Sequence, residues 1–128
     1  MREDYIKYRI VRANETFSDA VSLFEKNSWN SCINRLYYSA FYAAIALLLF
    51  YEIEVKSHNG VKRKLGEMVK RNIFPKNLAK HFGVLSDLRH KGDYDDLFDF
   101  NQELTENLIE PTRLFISSIE KICLMKRA

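Results

Sequence analysis

The sequence is poor in the residues that interrupt regular structure. Its 128 residues include four glycines and two prolines, too few for a sandwich or barrel of many short strands joined by tight turns. It also holds only two cysteines, Cys32 and Cys123, each in apolar helical surroundings. This excludes a disulfide framework and predicts two buried thiols in a reducing cytosol.

A long hydrophobic run is missing as well. The longest uncharged apolar run, Ala40 to Tyr51, has 12 residues, whereas a membrane-spanning helix needs roughly 20. The run therefore predicts a buried core helix. The first four residues lead straight into charged helical sequence with no signal-peptide core. We expect a cytoplasmic protein that does not enter a membrane.

Cofactor and metal patterns are absent too. Gly60, Gly66, Gly83 and Gly92 lie too far apart to form a phosphate-cradling glycine loop. The histidines stand at no ligand spacing, and no Glu-x-x-His pair of the kind used in helical di-metal sites occurs. The pair Glu54 and His58 spans a predicted loop and is interpreted as incidental. The sequence predicts no metal and no cofactor.

What the sequence does contain is helical periodicity in nearly every segment. A hydrophobic fraction of 47% predicts a packed core, and the length is that of one domain, residues 1–128. Apolar residues recur at steps of three and four in five segments, which are listed by their apolar residues: Ile6 to Phe24, Ile33 to Leu48, Val61 to Val69, Leu78 to Leu88, and Leu104 to Ile122. The sequence thus predicts an all-α, up-and-down antiparallel bundle of about five helices, with a kink or a break at Pro111.

The second of these helices is expected at the centre of the bundle. Its second half is apolar all round, which is typical of a helix surrounded by other helices or by a partner chain. Four short neighbours are not expected to cover it completely, so an apolar face should remain and favour a homodimer.

Charge is divided unevenly along the chain, although the formal net charge is only +3. Residues 56–80 carry eight basic side chains against one acid, and residues 93–110 carry seven acids without a lysine or arginine. Such runs usually mark solvated faces, and here the two segments could attract each other within the fold or across a dimer. The alternative is contact with a polyanion, through a basic patch of Lys62, Arg63, Lys70 and Arg71.

Two short segments carry side chains suited to binding. On the second helix, Arg35, Tyr38 and Tyr42 share one stripe, where a guanidinium beside phenol rings can stack on a base or hold a phosphate. The alternative is that the tyrosines pack at an interface. Around the end of the fourth helix, residues 89–96 crowd Arg, His, Lys, Asp and Tyr together. Helix capping would place similar residues there, with Gly92 near the position that follows the cap.

In this order and spacing, the segments resemble the HEPN domain family, the small helical domain named for higher eukaryotes and prokaryotes nucleotide-binding. The resemblance is carried by residues 35–44, 56–61 and 88–95 and covers roughly residues 12–124. It implies a helical bundle that usually dimerises and binds a nucleotide or RNA, often beside a small nucleotidyltransferase in toxin–antitoxin-like pairs. The candidate binding residues are Arg35, Tyr38, Arg89, Asp93 and Tyr94.

The sequence departs from the ribonuclease toxins of this superfamily at one position. In those toxins an arginine is followed after four to six residues by a histidine, and a dimer unites two such pairs for metal-independent RNA cleavage. Here Arg89 matches the arginine, but Tyr94 stands at the histidine position, and His90 is adjacent to Arg89 on a different side of the helix. A tyrosine with a pKa near 10 is a poor base at neutral pH.

The sequence therefore predicts binding without cleavage. Two alternatives remain open. One is a metal-independent endoribonuclease that uses Arg89 with Tyr94 or His90. The other is a purely structural helical dimerisation domain, in which both segments merely pack.

Overall fold

The computed structural model describes residues 1–95 and 98–125, apart from the side chain of Met125. These residues form α1 (Arg2–Glu25), α2 (Trp29–Phe50), α3 (His58–Lys70), α4 (Lys76–Tyr94) and α5 (Gln102–Glu120), which continues into a π-helical turn, Lys121–Met125. No strand occurs among them. The predicted all-α bundle of five helices is confirmed. Asp96, one of the predicted acidic run, lies outside the described residues.

Helix α2 lies at the centre, as its apolar sequence predicts. All four other α-helices pack against it, and Leu36, Tyr37, Leu47 and Leu48 are at most 1% exposed. The four neighbours do not cover it completely, as expected, since Phe41, Ile45 and Leu49 are only partly buried. The homodimer stays a prediction, supported by these partly exposed apolar side chains and by the family resemblance.

The same helix meets the length and composition criteria for crossing a membrane, and it is the one such helix in the part of the chain described. More than half of the apolar stretch that meets these criteria is buried by the rest of the chain. That burial is what the core helix of a soluble bundle shows.

Three helix ends use left-handed residues other than glycine. Asn27, Glu52 and Asn72 have φ values near +60° and follow α1, α2 and α3. The next residue in each case donates its N–H to a carbonyl five positions back, as from Ser28 to Leu23 at 2.9 Å. This is the Schellman arrangement. Asparagine tolerates the left-handed region better than most residues, so tight helix ends form in a glycine-poor sequence.

Side-chain caps begin two of the helices. Ser57 accepts the N–H of Gly60 at 3.0 Å at the start of α3. At the start of α5, Asn101 accepts the N–H of Leu104 at 2.9 Å. Helix α5 runs through Pro111 as one element, so the predicted alternative of a break with a restart is wrong.

Residues 98–100, which precede α5, are held against the start of α2. The side chain of Asn30 accepts the N–H of Phe100 at 2.8 Å and donates to the carbonyl of Phe98 at 3.2 Å. Asn30 lies in the first turn of α2, which begins at Trp29 after Ser28. Its side-chain amide holds Phe98 and Phe100 against the bundle.

Gly92 occupies a different position from the predicted one. It lies within α4, two residues before the helix ends at Tyr94, so it does not terminate the helix. A Cβ at this position would lie 2.7 Å from a ring carbon of the buried Phe100. Gly92 is therefore required by close packing of α4 against the segment that follows it.

This packing predicts opposite effects for two glycine-to-alanine changes. Alanine normally stabilises a helix interior by about 1 kcal/mol relative to glycine. Gly66→Ala should show such a gain, since no atom lies within 4 Å of a Cβ there. Gly92→Ala should instead destabilise the protein by about 1–2 kcal/mol, because displacing the Phe100 ring costs about 1–3 kcal/mol. Urea denaturation of both variants tests this, and a stabilised Gly92→Ala would contradict it.

Candidate functional site

Arg89 lies at the centre of a cluster formed by α2, α4 and the start of α3. Its side chain is 14% exposed, and its guanidinium carbon lies 4.8 Å from the ring centroid of Tyr37 and 5.7 Å from that of Tyr38. One turn further along α4, Asp93 accepts from Arg89 Nη1 at 3.4 Å. Two aromatic rings therefore face the guanidinium, and one long ion pair partly neutralises it.

Arg35 belongs to the same cluster through its contact with Tyr38. Its guanidinium carbon lies 5.0 Å from the Tyr38 ring centroid, and it donates twice to the side chain of Asn34, at 2.8 and 3.1 Å. Arg35 and Asp93 line a cleft of about 470 Å³ between α1, α2 and α4. The structure thus brings together four of the five predicted binding residues: Arg35, Tyr38, Arg89 and Asp93.

The fifth residue, Tyr94, points elsewhere. It is 66% exposed, and its ring packs on His90, with centroids 4.7 Å apart. His90 is exposed as well. Five residues along an α-helix amount to about one and two-fifths turns, which places Tyr94 on a different face from Arg89.

A histidine does lie in the cluster, contributed by α3. His58 Nδ1 is 2.6 Å from the hydroxyl of Tyr37, and its ring stacks on Phe41 with centroids 4.4 Å apart. The sequence interpretation set aside the Glu54 and His58 pair as a metal site and gave His58 no other role, so it did not predict this placement. The signal was available in part, since His58 directly follows the cap Ser57 within a segment that carries the family resemblance.

The electrostatics of the cluster keep both polar rings neutral. Burial, together with the positive charge of Arg89, lowers the pKa of His58 below its usual value. Burial raises the pKa of the Tyr37 hydroxyl to about 12, although Arg89 opposes the shift. At neutral pH the site therefore contains an uncharged imidazole beside a permanent cation.

Arg89 also retains unused hydrogen-bonding capacity. Its Nε is buried and has no hydrogen-bond partner among the residues described. A buried donor without an acceptor costs about 1–3 kcal/mol, and such groups are rare in folded proteins. A guanidinium carries five N–H donors in a fork that matches phosphate or carboxylate oxygens. The arrangement is suited to an anionic ligand.

The predicted basic patch is divided between two surfaces. Lys62 and Lys70 line a groove between α3 and α4 together with Lys76 and Lys80, whereas Arg71 lines a separate cleft. The ion pairs of the basic segment go to Asp87 and Glu67, as in Lys62 to Asp87 at 3.3 Å. Within the described ranges, none goes to the acidic segment.

The two cysteines are buried, as predicted. Burial raises the pKa of Cys32 to about 11 and that of Cys123 to about 12, which leaves both as unreactive thiols at neutral pH. No group of three or more His, Cys, Asp or Glu side chains placed to hold a metal occurs in residues 1–95 and 98–125.

Comparison with known proteins finds a family model and relatives that match most of the chain. The HEPN domain family model matches residues 6–122. A "UPF0332 protein" of Thermotoga maritima is 34% identical over 122 residues, which cover 94% of this chain and 92% of the relative.

Two relatives come from Methanocaldococcus jannaschii. The protein named "Putative toxin MJ0605" is 31% identical over 126 residues, which cover 94% of this chain and 90% of the relative. The protein named "Putative toxin MJ0142" is 28% identical over 118 residues, which cover 91% of this chain and 80% of the relative.

Proposed function

This chain belongs to the HEPN domain family, and from that premise we propose that it is a toxin-like nucleotide- or RNA-binding domain that holds a phosphate at Arg89. The observation that carries the proposal is the guanidinium of Arg89, which is mostly buried, faces two tyrosine rings and keeps a buried donor without an acceptor. Two relatives with "toxin" in their printed names support the biological role.

The surroundings of Arg89 suit a nucleotide better than a simple ion. A phosphate accepts paired hydrogen bonds from a guanidinium, and a low local dielectric strengthens such contacts. The second cation, Arg35, lines the cleft and contacts the ring of Tyr38, and a base can stack on such an aromatic face. Asp93 is 37% exposed, so a competing phosphate can displace it without leaving a buried charge.

Two further properties are proposed from the family resemblance. The domain acts as a homodimer, which sedimentation should show as twice the chain mass. It works with a small nucleotidyltransferase as its partner protein, in a toxin–antitoxin-like pair in the cytoplasm.

Removing the Arg89 guanidinium should sharply reduce ligand binding. A hydrogen bond to a charged group contributes about 1.5–3 kcal/mol, and about 1.4 kcal/mol is a tenfold change in affinity. Arg89→Ala should therefore weaken binding of a fluorescent single-stranded oligoadenylate at least about tenfold in low salt. Arg89→Lys should bind at an intermediate level, since a point charge replaces the fork.

The matched control is Arg113→Ala. Arg113 is an exposed arginine on α5 that pairs with Glu110, and its loss should leave affinity unchanged. Anisotropy titrations would measure binding, and circular dichroism would confirm that each variant is folded. Equal affinity of the parent and the Arg89→Ala variant would refute the proposed site.

A second candidate function is metal-independent RNA cleavage. It is favoured by one observation, the neutral imidazole of His58 held in the Arg89 cluster. When Nδ1 donates its hydrogen to the Tyr37 oxygen, Nε2 can accept the proton of a ribose 2′-hydroxyl as its oxygen attacks phosphorus. The 5′-oxygen then leaves and takes a proton from water, while Arg89 balances the charge on the phosphate.

A further inference from the structure

A row of tyrosines and arginines continues from the Arg89 cluster across the surface of α2 onto α1. The guanidinium of Arg9 lies 5.8 Å from the ring centroids of both Tyr8 and Tyr42, and that of Arg12 lies 5.5 Å from Tyr42. The Tyr42 and Tyr38 centroids are 6.3 Å apart. We call Tyr8, Arg9, Arg12, Tyr42 and Tyr38 the tyrosine–arginine ladder.

The ladder is directly continuous with the proposed phosphate site. Tyr38 contacts Arg35 at 5.0 Å and Arg89 at 5.7 Å, so one ring belongs to both. At the other end, Tyr8 is 56% exposed on α1. The ladder thus leads from a half-buried cluster to an open surface.

The side chains of the ladder are not needed to hold α1 against α2. Contacts between arginines and tyrosines would hold α1 against α2, but the core residues Ile6, Ile10 and Ala13 already do so at 3% exposure or less. The ring of Tyr8 also contributes little to the packing of the two helices, because more than half of this residue is exposed. In the part of the chain described, the four arginines of the ladder and its cluster make ion pairs with two acids, Glu15 and Asp93, so positive charge is in excess there.

We propose that the ladder is a stacking surface for the bases of single-stranded RNA whose phosphate lies at Arg89. This assignment rests on the proposed function and names its substrate class. Rings and guanidinium planes accept any base, because every base has a π face. The arginines also neutralise the backbone. Bases in a duplex are already stacked on one another, so the ladder selects unpaired strands.

The experiment compares a short and a long probe. The dinucleotide ApA is short enough to bind at the Arg89 cluster alone, whereas a twelve-nucleotide oligoadenylate extends onto the ladder. The parent should bind the long probe more tightly. Tyr8→Leu and Tyr42→Leu should each weaken binding of the long probe at least about fivefold, the lower end of the effect of losing one stacked base, and leave ApA unchanged.

Tyr5→Leu is the matched control, because Tyr5 is 57% exposed on the same helix and stands outside the ladder. It should bind both probes as the parent does. Tyr8→Phe and Tyr42→Phe should also bind normally, since they keep the ring. The parent, Tyr8→Leu and Tyr42→Leu should all bind a twelve-base-pair RNA duplex with the same affinity.

The outcomes separate this inference from the proposed function. Loss of ApA binding in Arg89→Ala with unchanged long-probe binding in both leucine variants would overturn the ladder and keep the phosphate site. A parent that binds neither probe would overturn both. A change in sedimentation mass for Tyr42→Leu would overturn the ladder as an RNA surface, because it would identify an interface between two copies.

Discussion

Phe82→Ala should destabilise the protein by about 3–5 kcal/mol, the range for a fully buried phenylalanine. Phe82 is 0% exposed, and its ring lies 5.7 Å from that of Tyr37 and 5.8 Å from that of Phe115. It therefore joins α4 to α2 and α5 at one point. Truncation leaves a cavity beneath Tyr37, whose hydroxyl is held by His58 in the candidate site.

Urea denaturation would measure the loss, and Phe82→Leu is the control. Leucine keeps much of the volume and should cost about 1–1.5 kcal/mol. If Phe82→Ala lowers the free energy of unfolding by less than the amount expected for Phe82→Leu, Phe82 does not join the three helices as the structure shows. A domain stability of about 5–15 kcal/mol makes the larger loss a substantial fraction of the total.

The position of Phe82 illustrates what the sequence predicts well. Leu78, Phe82 and Leu85 recur at helical steps, and all three are buried in α4. Periodicity reports which face of a helix is apolar, and that face must turn inward wherever the helix packs. For this reason the helices, the central position of α2 and most core residues follow from local pattern alone.

The candidate site depends on contacts that no local pattern encodes. The stripe on α2 indicates Arg35 and Tyr38, the crowded end of α4 indicates Arg89 and Asp93, and the family resemblance joins the two segments. These four residues do lie together. His58 was missed because its partner Tyr37 is 21 residues away in sequence, and the pairing arises only when α3 starts beside α2. Conversely, Tyr94 matches the motif by spacing, yet the helix continues to Tyr94 and turns its ring onto His90.

The charge pattern of the sequence does not predict which basic side chains share a surface. Eight basic residues between positions 56 and 80 suggest one patch, but a helix distributes successive side chains around its axis. Lys62 and Lys70 consequently share a groove with residues of α4, whereas Arg71 faces another cleft. A run of like charge along the sequence therefore predicts a charged helix without specifying which charges share a surface.

Any RNA cleavage by this protein should depend on His58 and should continue in the presence of a chelator. General base catalysis contributes about 100-fold to 10,000-fold, so His58→Ala should reduce the cleavage rate by at least about 100-fold. His90→Ala and Tyr94→Phe are the matched controls. Both side chains lie outside the Arg89 cluster, and both variants should retain the parent rate.

The pH dependence gives a second, independent measurement. A base must be unprotonated, and the pKa of His58 is lowered by burial and by Arg89. The rate should therefore be full at pH 7 and fall only as pH drops below about 6.5, the ordinary histidine value. Nuclear magnetic resonance titration should show the pKa of His58 rising in Arg89→Ala, because the repelling charge is gone. Cleavage that survives in His58→Ala, or that is lost in His90→Ala, would exclude His58 as the base. Either result would favour the alternative drawn from the sequence, in which Arg89 acts with His90 or Tyr94.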